Sequence, residues 1–387
     1  METFQFYLPS KIIFGNGALK RLSEEVSSLE CESILLVTGR KSMQRSGVVR
    51  KIKRLLSSEV EVHIYRVTGE PDTAAVDRGV ALSKKNGCDA VIAVGGGSAL
   101  DTAKAIAGLC GAKDFTNTSD FLEIDGTRKL DCAGLPFIAI PTTAGTGSEA
   151  SSNSVIINRD LKTKRSLRSP FLFARTAIID PLLTMDLPQE ITASSGIDAL
   201  SHLIEAYVSK RASPMTDAIA LRGIGLAGRS LVKAVISGKG IEDRTNMSLA
   251  ALLGGITLAN AGLGLVHAIA PFIGSIYGVS HGVSVGLVLP HVMEYNLPSA
   301  PAKFRNVASA LGEDVRDVSG ERAAHRAVEA VEGIIERIKI PWKLSQVGVK
   351  EKDLKVLAKK SLSSNSVRSN PRKPTGKDVL EILEKAS

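Results

Sequence analysis

The first 180 residues alternate two kinds of apolar pattern. Short runs rich in β-branched residues, Ile34–Thr38, Val60–Tyr65, Ala90–Val94 and Phe137–Ile140, predict strands, and Ile12-Ile13-Phe14 predicts an edge strand ahead of them. Between these runs, Thr73–Lys85 and Ala99–Leu109 carry apolar residues at helical spacing. Strands recurring about every 30 residues with helices between them predict right-handed βαβ crossovers and a parallel sheet. From Asp180-Pro181 onward the strand runs disappear and long Ala/Leu/Ile stretches of helical period take over. The pattern therefore predicts an α/β domain over residues 1–180 and an all-α domain over 181–387. In the latter, Gly320–Ile338 reads as an amphipathic helix and Ser361–Ser369 as a surface loop. Thr375 and Asp378 have the spacing of a helix-opening capping pair.

Ligands bind a parallel sheet at the carboxyl ends of its strands, and two such ends here are rich in glycine and hydroxyls. Val91-Ile-Ala-Val94 runs into Gly95-Gly-Gly-Ser98 and a helix, so Gly96, Gly97 and Ser98 sit where bare backbone N–H groups and the positive helix end favour a phosphate. The Gly-x-Gly-x-x-Gly fingerprint is absent, and Ser98 with Asp101 has also the spacing of an ordinary capping box, so this turn alone leaves both readings open. The second loop, Pro141-Thr-Thr-Ala-Gly-Thr-Gly-Ser148, follows Ile140. Two such loops on one sheet predict a dinucleotide lying across the strand ends. The first long strand closes on Thr38-Gly39-Arg40 with Lys41 next and no acid. A carboxylate there would repel a 2′-phosphate, whereas Gly39 leaves room and Arg40 can pair with it, which favours NADP over NAD; an exposed turn is the alternative.

The helical half carries a second chemistry. Asp198 and His202 are four apart in the helical segment Gly196–Tyr207, so both leave one face. A divalent metal needs more donors, and His267 and His281 supply candidates. On one unbroken helix those two would be about 21 Å apart. Pro271, Gly274, Gly278 and the Ser280-His281-Gly282 turn predict a break, with His267 ending one helix and His281 starting another that folds back. His63 falls in a predicted strand, His325 in the amphipathic helix, and His291, after Pro290, reads as structural.

Composition narrows the class. The chain has 387 residues, 44% apolar and 23% charged, with no apolar run near the roughly 20 residues of a membrane span and no basic-then-apolar N-terminus of a signal peptide, so a cytoplasmic protein is expected. Cys31, Cys88, Cys110 and Cys132 are widely spaced, against a disulfide framework or thiolate zinc site. The formal charge of +9 is spread along the chain with no recognition motif, so a phosphate-bearing cofactor explains it better than nucleic acid.

On these motifs the chain resembles the iron-containing (group III) alcohol dehydrogenases. The resemblance runs from Phe14-Gly-Asn-Gly17 to Asn370-Pro-Arg-Lys-Pro-Thr375, with strong matches at Gly95–Lys104, Pro141–Glu149, Gly196–Tyr207 and Gly264–Gly282. It implies a Rossmann-like N-terminal domain joined to an all-α domain in the dehydroquinate synthase-like architecture. It implies that Gly96, Gly97 and Ser98 hold the pyrophosphate with Asp101 near the nicotinamide, that Thr142, Thr143, Thr146 and Ser151 line the nucleotide, and that Lys164 reaches a ribose hydroxyl. Asp72 stands where many relatives have Asn, and Gly39 where NAD-preferring relatives have Asp. Asp198, His202, His267 and His281 match all four metal ligands, Fe(II) ahead of Zn(II). Many relatives have a further histidine, a candidate proton carrier, where this chain has Pro271. The expected reaction is hydride transfer between an alcohol and NADP(H), with the substrate in the cleft between the two domains. The alternatives are a lyase resembling dehydroquinate synthase and a non-catalytic nucleotide sensor. Expected partners are a small alcohol or aldehyde, with neither nucleic acid nor membrane; a homo-oligomer is left open.

Overall fold

The computed structural model describes residues 3–39, 43, 46–161 and 163–387. They form two compact units: a sheet unit of Tyr7–Thr143 and Gly147–Asp186, and a helical unit of Leu187–Ser387 with the N-terminus to Phe6 and Ala144–Thr146.

The sheet unit runs β1 (Lys11–Phe14), α1 (Leu22–Ser27), β2 (Ser33–Gly39), α2 (Val48–Leu55), β3 (Glu61–Val67), α3 (Thr73–Lys85), β4 (Ala90–Gly95), α4 (Gly97–Cys110), β5 (Phe137–Pro141), β6 (Asn153–Asn158), β7 (Thr163–Arg168) and β8 (Thr176–Ile179). Six strands make one sheet in the order β1-β8-β5-β4-β2-β3, every pair parallel, with β1 at the edge as its short run predicts. The central strands are apolar along their whole length because both faces are covered. Leu35, Val37, Val91 and Ala93 pack with Leu100, Ala103 and Ile106 of α4 on one face. Ile34, Leu36, Ile92 and Ile138 pack with Leu19, Leu22 and Ile52 on the other. Each such Leu or Ile contributes about 1.5–3 kcal/mol on burial.

From β2 the chain moves outward to β3, then returns past β2 to β4. The strand order therefore reverses between β2 and β4, where Thr38 is level with Val94 and the carboxyl ends are Gly39 and Gly95. A crevice at such a reversal is where open parallel sheets take nucleotides. The antiparallel hairpin β6–β7 and the short strand β8 were not predicted.

The helical unit contains α5 (Gln189–Val208), α6 (Pro214–Ile236), α7 (Ile241–Ala261), α8 (Val266–Tyr277), α9 (His281–Asn296), α10 (Pro301–Leu311), α11 (Gly320–Arg337), α12 (Leu354–Ser361) and α13 (Gly376–Lys385). Helix α5 is its axis: it is buried along nearly all its length and packs against α6, α7 and α9. Thr375 and Asp378 form the expected capping box of α13. Among the described residues no strand follows β8, and no single helix is long and apolar enough to cross a membrane.

One expectation is corrected. The helix α8 runs through Pro271, so His267 sits in its first turn instead of ending a helix. The breaks fall at Gly262 and Gly278, both in left-handed backbone, and Pro271 is tolerated inside the helix although it cannot donate to the His267 carbonyl.

Candidate functional site

Helix α5 carries Asp198, His202 and Glu205 at positions i, i+4 and i+7, one stripe of one face, each no more than 4% exposed. The first turn of α8 and the first residue of α9 bring His267 and His281 to it. His267 and Tyr277 are separated by about 15 Å of helix, and the three non-helical residues Gly278–Ser280 lead back. A Cβ on Gly282 would collide with the Ser194 carbonyl oxygen, so only glycine lets α9 start so close to α5.

Three imidazoles converge on one carboxylate oxygen. Asp198 Oδ1 lies 3.4 Å from His267 Nε2, 3.4 Å from His281 Nε2 and 3.6 Å from His202 Nε2. The rings of His202 and His267 stack with centroids 4.6 Å apart, and those of His267 and His281 are 5.4 Å apart. Ligands about 2.1 Å from a tetrahedral ion are separated by about 3.4 Å, so these spacings fit a divalent cation. Donor atoms of Asp198, His267 and His281 all lie within 4.8 Å of one another. One oxygen and three nitrogens suit Fe(II) or Zn(II).

Electrostatics agree with that chemistry. Burial would raise the Asp198 carboxyl, but His202, His281 and His267 outweigh it and hold it well below the usual carboxylate range. Burial lowers His202 to about 4, against the pull of Asp198, and keeps it neutral. Burial would lower His267 too, yet hydrogen bonds to Asp198 and Glu205 raise it to about 9. A cation entering here displaces a proton.

In the sheet unit the two loops lie side by side. Gly95 is level with Pro141, Thr142 N–H donates to the Gly95 carbonyl at 2.9 Å, and a Cβ on Gly96 would sit 3.3 Å from Thr143 Cγ2. Gly96 precedes α4 without a side-chain cap, and Gly97 and Ser98 are the first residues of the helix. The capping-box reading of Ser98 and Asp101 does not hold. The Asp101 carboxylate instead accepts from Ser148 Oγ at 2.5 Å and from Val155 N–H at 3.0 Å.

The other expected nucleotide residues have varied surroundings. Thr142 is buried beside Gly95, whereas Thr146 lies in the short Ala144–Thr146 segment that belongs to the helical unit. Ser151 is 3% exposed and its Oγ accepts from Lys104 at 3.0 Å, so its hydroxyl points inward. Lys164 pairs with Glu70 at 3.0 Å. Asp72 caps α3 through Ala75 N–H and pairs with Arg159 at 2.6 Å, which occupies both its oxygens. Gly39 ends β2 at the reversal, and Arg40 lies outside the described residues.

Two residues escaped the sequence reading. Glu205 accepts from Val266 N–H at 2.7 Å and meets His267 Nδ1 at 2.7 Å; its signal was the i, i+4, i+7 stripe with Asp198 and His202. Lys104, three after Asp101 and 1% exposed, donates to the carbonyls of Ser148, Ser151 and Asn153 at 2.6, 2.9 and 2.8 Å. Together Asp101 and Lys104 tie the loop after β5 to α4.

Known proteins share this arrangement over the whole chain. Residues 9–181 match the family model described as iron-containing alcohol dehydrogenase, and residues 192–387 the model described as Fe-containing alcohol dehydrogenase family, C-terminal. The chain is 36% identical to the NAD-dependent methanol dehydrogenase of Bacillus methanolicus, over 98% of this chain and 99% of that protein. It is also 36% identical to the 1,3-propanediol dehydrogenase of Klebsiella pneumoniae, over 99% and 98%. Among solved structures, 1,3-propanediol oxidoreductase superposes with a TM-score of 0.95 at 35% identity, and the alcohol dehydrogenase from Oenococcus oeni with 0.95 at 32%, each covering 100% of both chains. Matches of this extent, on both units, mean that the chain belongs to the iron-containing alcohol dehydrogenase family.

Proposed function

We propose that this member of the family interconverts small primary or secondary alcohols with their aldehydes or ketones, prefers NADP(H), and holds one divalent cation, Fe(II) ahead of Zn(II), on Asp198, His202, His267 and His281. The observation that carries this is the convergence of three imidazole Nε2 atoms on Asp198 Oδ1 at 3.4–3.6 Å. Bound there, a divalent cation supplies Lewis-acid polarisation of an alcohol or carbonyl oxygen, and the nicotinamide supplies the hydride carrier.

The protein's own groups orient and exclude water. Asp198, His202 and His267 are closed off from solvent, whereas the His281 side chain is 33% exposed and marks the side from which a substrate oxygen arrives. Gly96, Gly97 and Ser98 present the uncapped start of α4 to the pyrophosphate. Thr142 and Thr143 line the nucleotide, and Asp101 and Lys104 hold their loop in place. Pro271 offers no titratable atom, so no side chain at that position carries the alcohol proton.

NADP preference rests on Gly39, which ends β2 at the strand-order reversal without a carboxylate. The methanol dehydrogenase relative is named as NAD-dependent, so the two cofactors are compared directly. The test is metal content of the purified protein together with NADP- and NAD-linked oxidation of methanol, 1,3-propanediol and longer alcohols. Turnover without a bound cation would overturn the metal assignment. A dehydroquinate synthase-like lyase would turn over without net accumulation of reduced cofactor, and a sensor would show no turnover.

A further inference from the structure

The carboxylate of Glu205 stands behind His267 and is not one of the four proposed metal ligands. It is 4% exposed, and both oxygens are engaged: Oε1 accepts from Val266 N–H at 2.7 Å, and Oε2 lies 2.7 Å from His267 Nδ1. The same turn is gripped from another direction. Asn370 Oδ1 accepts from Leu265 N–H at 3.1 Å, and Asn370 is itself fixed by reciprocal amide hydrogen bonds with Asn296, at 2.8 and 3.0 Å, and by donating to the Arg372 carbonyl at 2.6 Å. Two consecutive N–H groups at the start of α8, which no helical carbonyl can satisfy, thus find buried acceptors from remote parts of the chain. Gly264 completes the seat: a Cβ there would lie 2.7 Å from Asn370 Oδ1 and 2.8 Å from Glu205 Oε1.

We infer that Glu205 is a positioning residue for the metal site, fixing His267 in the tautomer that carries its proton on Nδ1 and turns Nε2 toward Asp198. The inference rests on the metal reading above. A carboxylate oxygen has no hydrogen to give, so the imidazole nitrogen meeting it at 2.7 Å must be the donor. With the Nδ1 proton held there, the proton that an entering cation displaces is the one on Nε2, 3.4 Å from Asp198 Oδ1, which leaves Nε2 with the lone pair a ligand atom needs. A carboxylate behind a ligating histidine also raises its basicity and fixes the ring plane. Asn370 acts one step further out, holding the backbone on which His267 rides.

Glu205→Gln separates this role from simple packing, because a glutamine has the same shape but only one accepting oxygen. If that oxygen keeps Val266, the amide N–H faces Nδ1 and moves the imidazole proton to Nε2. If it keeps His267, the amide meets the Val266 N–H donor to donor and the turn shifts. Full-length protein stripped with a chelator is titrated with Co(II), following the visible spectrum. The expected result is a folded Glu205→Gln protein that binds Co(II) 10- to 100-fold more weakly than wild type, with an altered spectrum. In the Zn(II)-loaded wild type, ¹⁵N NMR should find the His267 proton on Nδ1, a readout that needs no variant and decides the matter if Glu205→Gln does not fold. Equal Co(II) affinity in a folded Glu205→Gln protein, or a His267 without a proton on Nδ1, would overturn the role of Glu205 alone. A wild type that takes up no Co(II) removes the metal reading and this inference with it.

Discussion

Replacing Lys104 by methionine should loosen the sheet unit at the loop after β5. The lysine is 1% exposed, and its ammonium donates to three carbonyls and to Ser151 Oγ at 2.6–3.0 Å. An ammonium has three N–H bonds, so one is shared between two of these acceptors, and at about 1.5 kcal/mol or more each the three amount to about 4.5 kcal/mol. Against them stands burial of the charge, which lowers this amine from 10.5 to about 8 despite Asp101 and Glu149, a cost of about 3 kcal/mol. Methionine keeps most of the volume and removes both effects, so Lys104→Met should lose about 1.5 kcal/mol at pH 7. Trp342 is the only tryptophan and lies in the helical unit, so urea unfolding is followed by far-UV circular dichroism. The pH dependence has a definite sign. The folded value lies below the unfolded one, so between about pH 8 and 10.5 the unfolded chain binds the extra proton, and wild type should gain stability relative to Lys104→Met as pH rises. A Lys104→Met midpoint matching that of wild type at equal slope would refute the bracing role.

Further outcomes are expected elsewhere. Gly39→Asp places a carboxylate at the end of β2, and like-charge repulsion, discounted for solvent screening, should lower the NADP-to-NAD ratio of kcat/KM about tenfold or more; an unchanged ratio removes Gly39 from cofactor choice. Gly282→Ala drives a methyl group into the Ser194 carbonyl, so it should cost about 1–3 kcal/mol in thermal or urea unfolding and weaken metal uptake by displacing His281; wild-type stability and uptake would show that α9 can slide without consequence.

The sheet was legible where strands are buried on both faces. Ile34–Thr38, Ala90–Val94 and Phe137–Ile140 read as continuous apolar runs because helices cover both sides. The hairpin β6–β7 is different: its exposure alternates along Asn153–Asn158, where the apolar run is only Val155-Ile-Ile157, and Thr163–Arg168 is rich in charge. The strand β8, Thr176–Ile179, is as short as β1 and offers only Ala177-Ile-Ile179 before Asp180-Pro181, where the pattern predicts the start of the helical half. Helical spacing and residue chemistry gave the pairing of Asp198 with His202, but the place of His267 was misjudged because Pro271 and Gly274 were read as breakers together with Gly278, whereas α8 runs through the first two and ends at the third. Glu205 and Lys104 were missed because an acid or a lysine on a helix face is ordinarily solvated. Only tertiary structure shows that these two are buried, with their partners 61 and 44 or more residues away in sequence.

The central claim is that a cation on Asp198, His202, His267 and His281 is required for alcohol oxidation. Its most direct test is to measure bound metal and NADP-linked 1,3-propanediol or methanol oxidation on the same preparations of wild type and Asp198→Ala. The account predicts close to one divalent ion per chain and turnover in wild type, with both lost in a folded Asp198→Ala protein. Turnover retained by a folded, metal-free Asp198→Ala protein would contradict it.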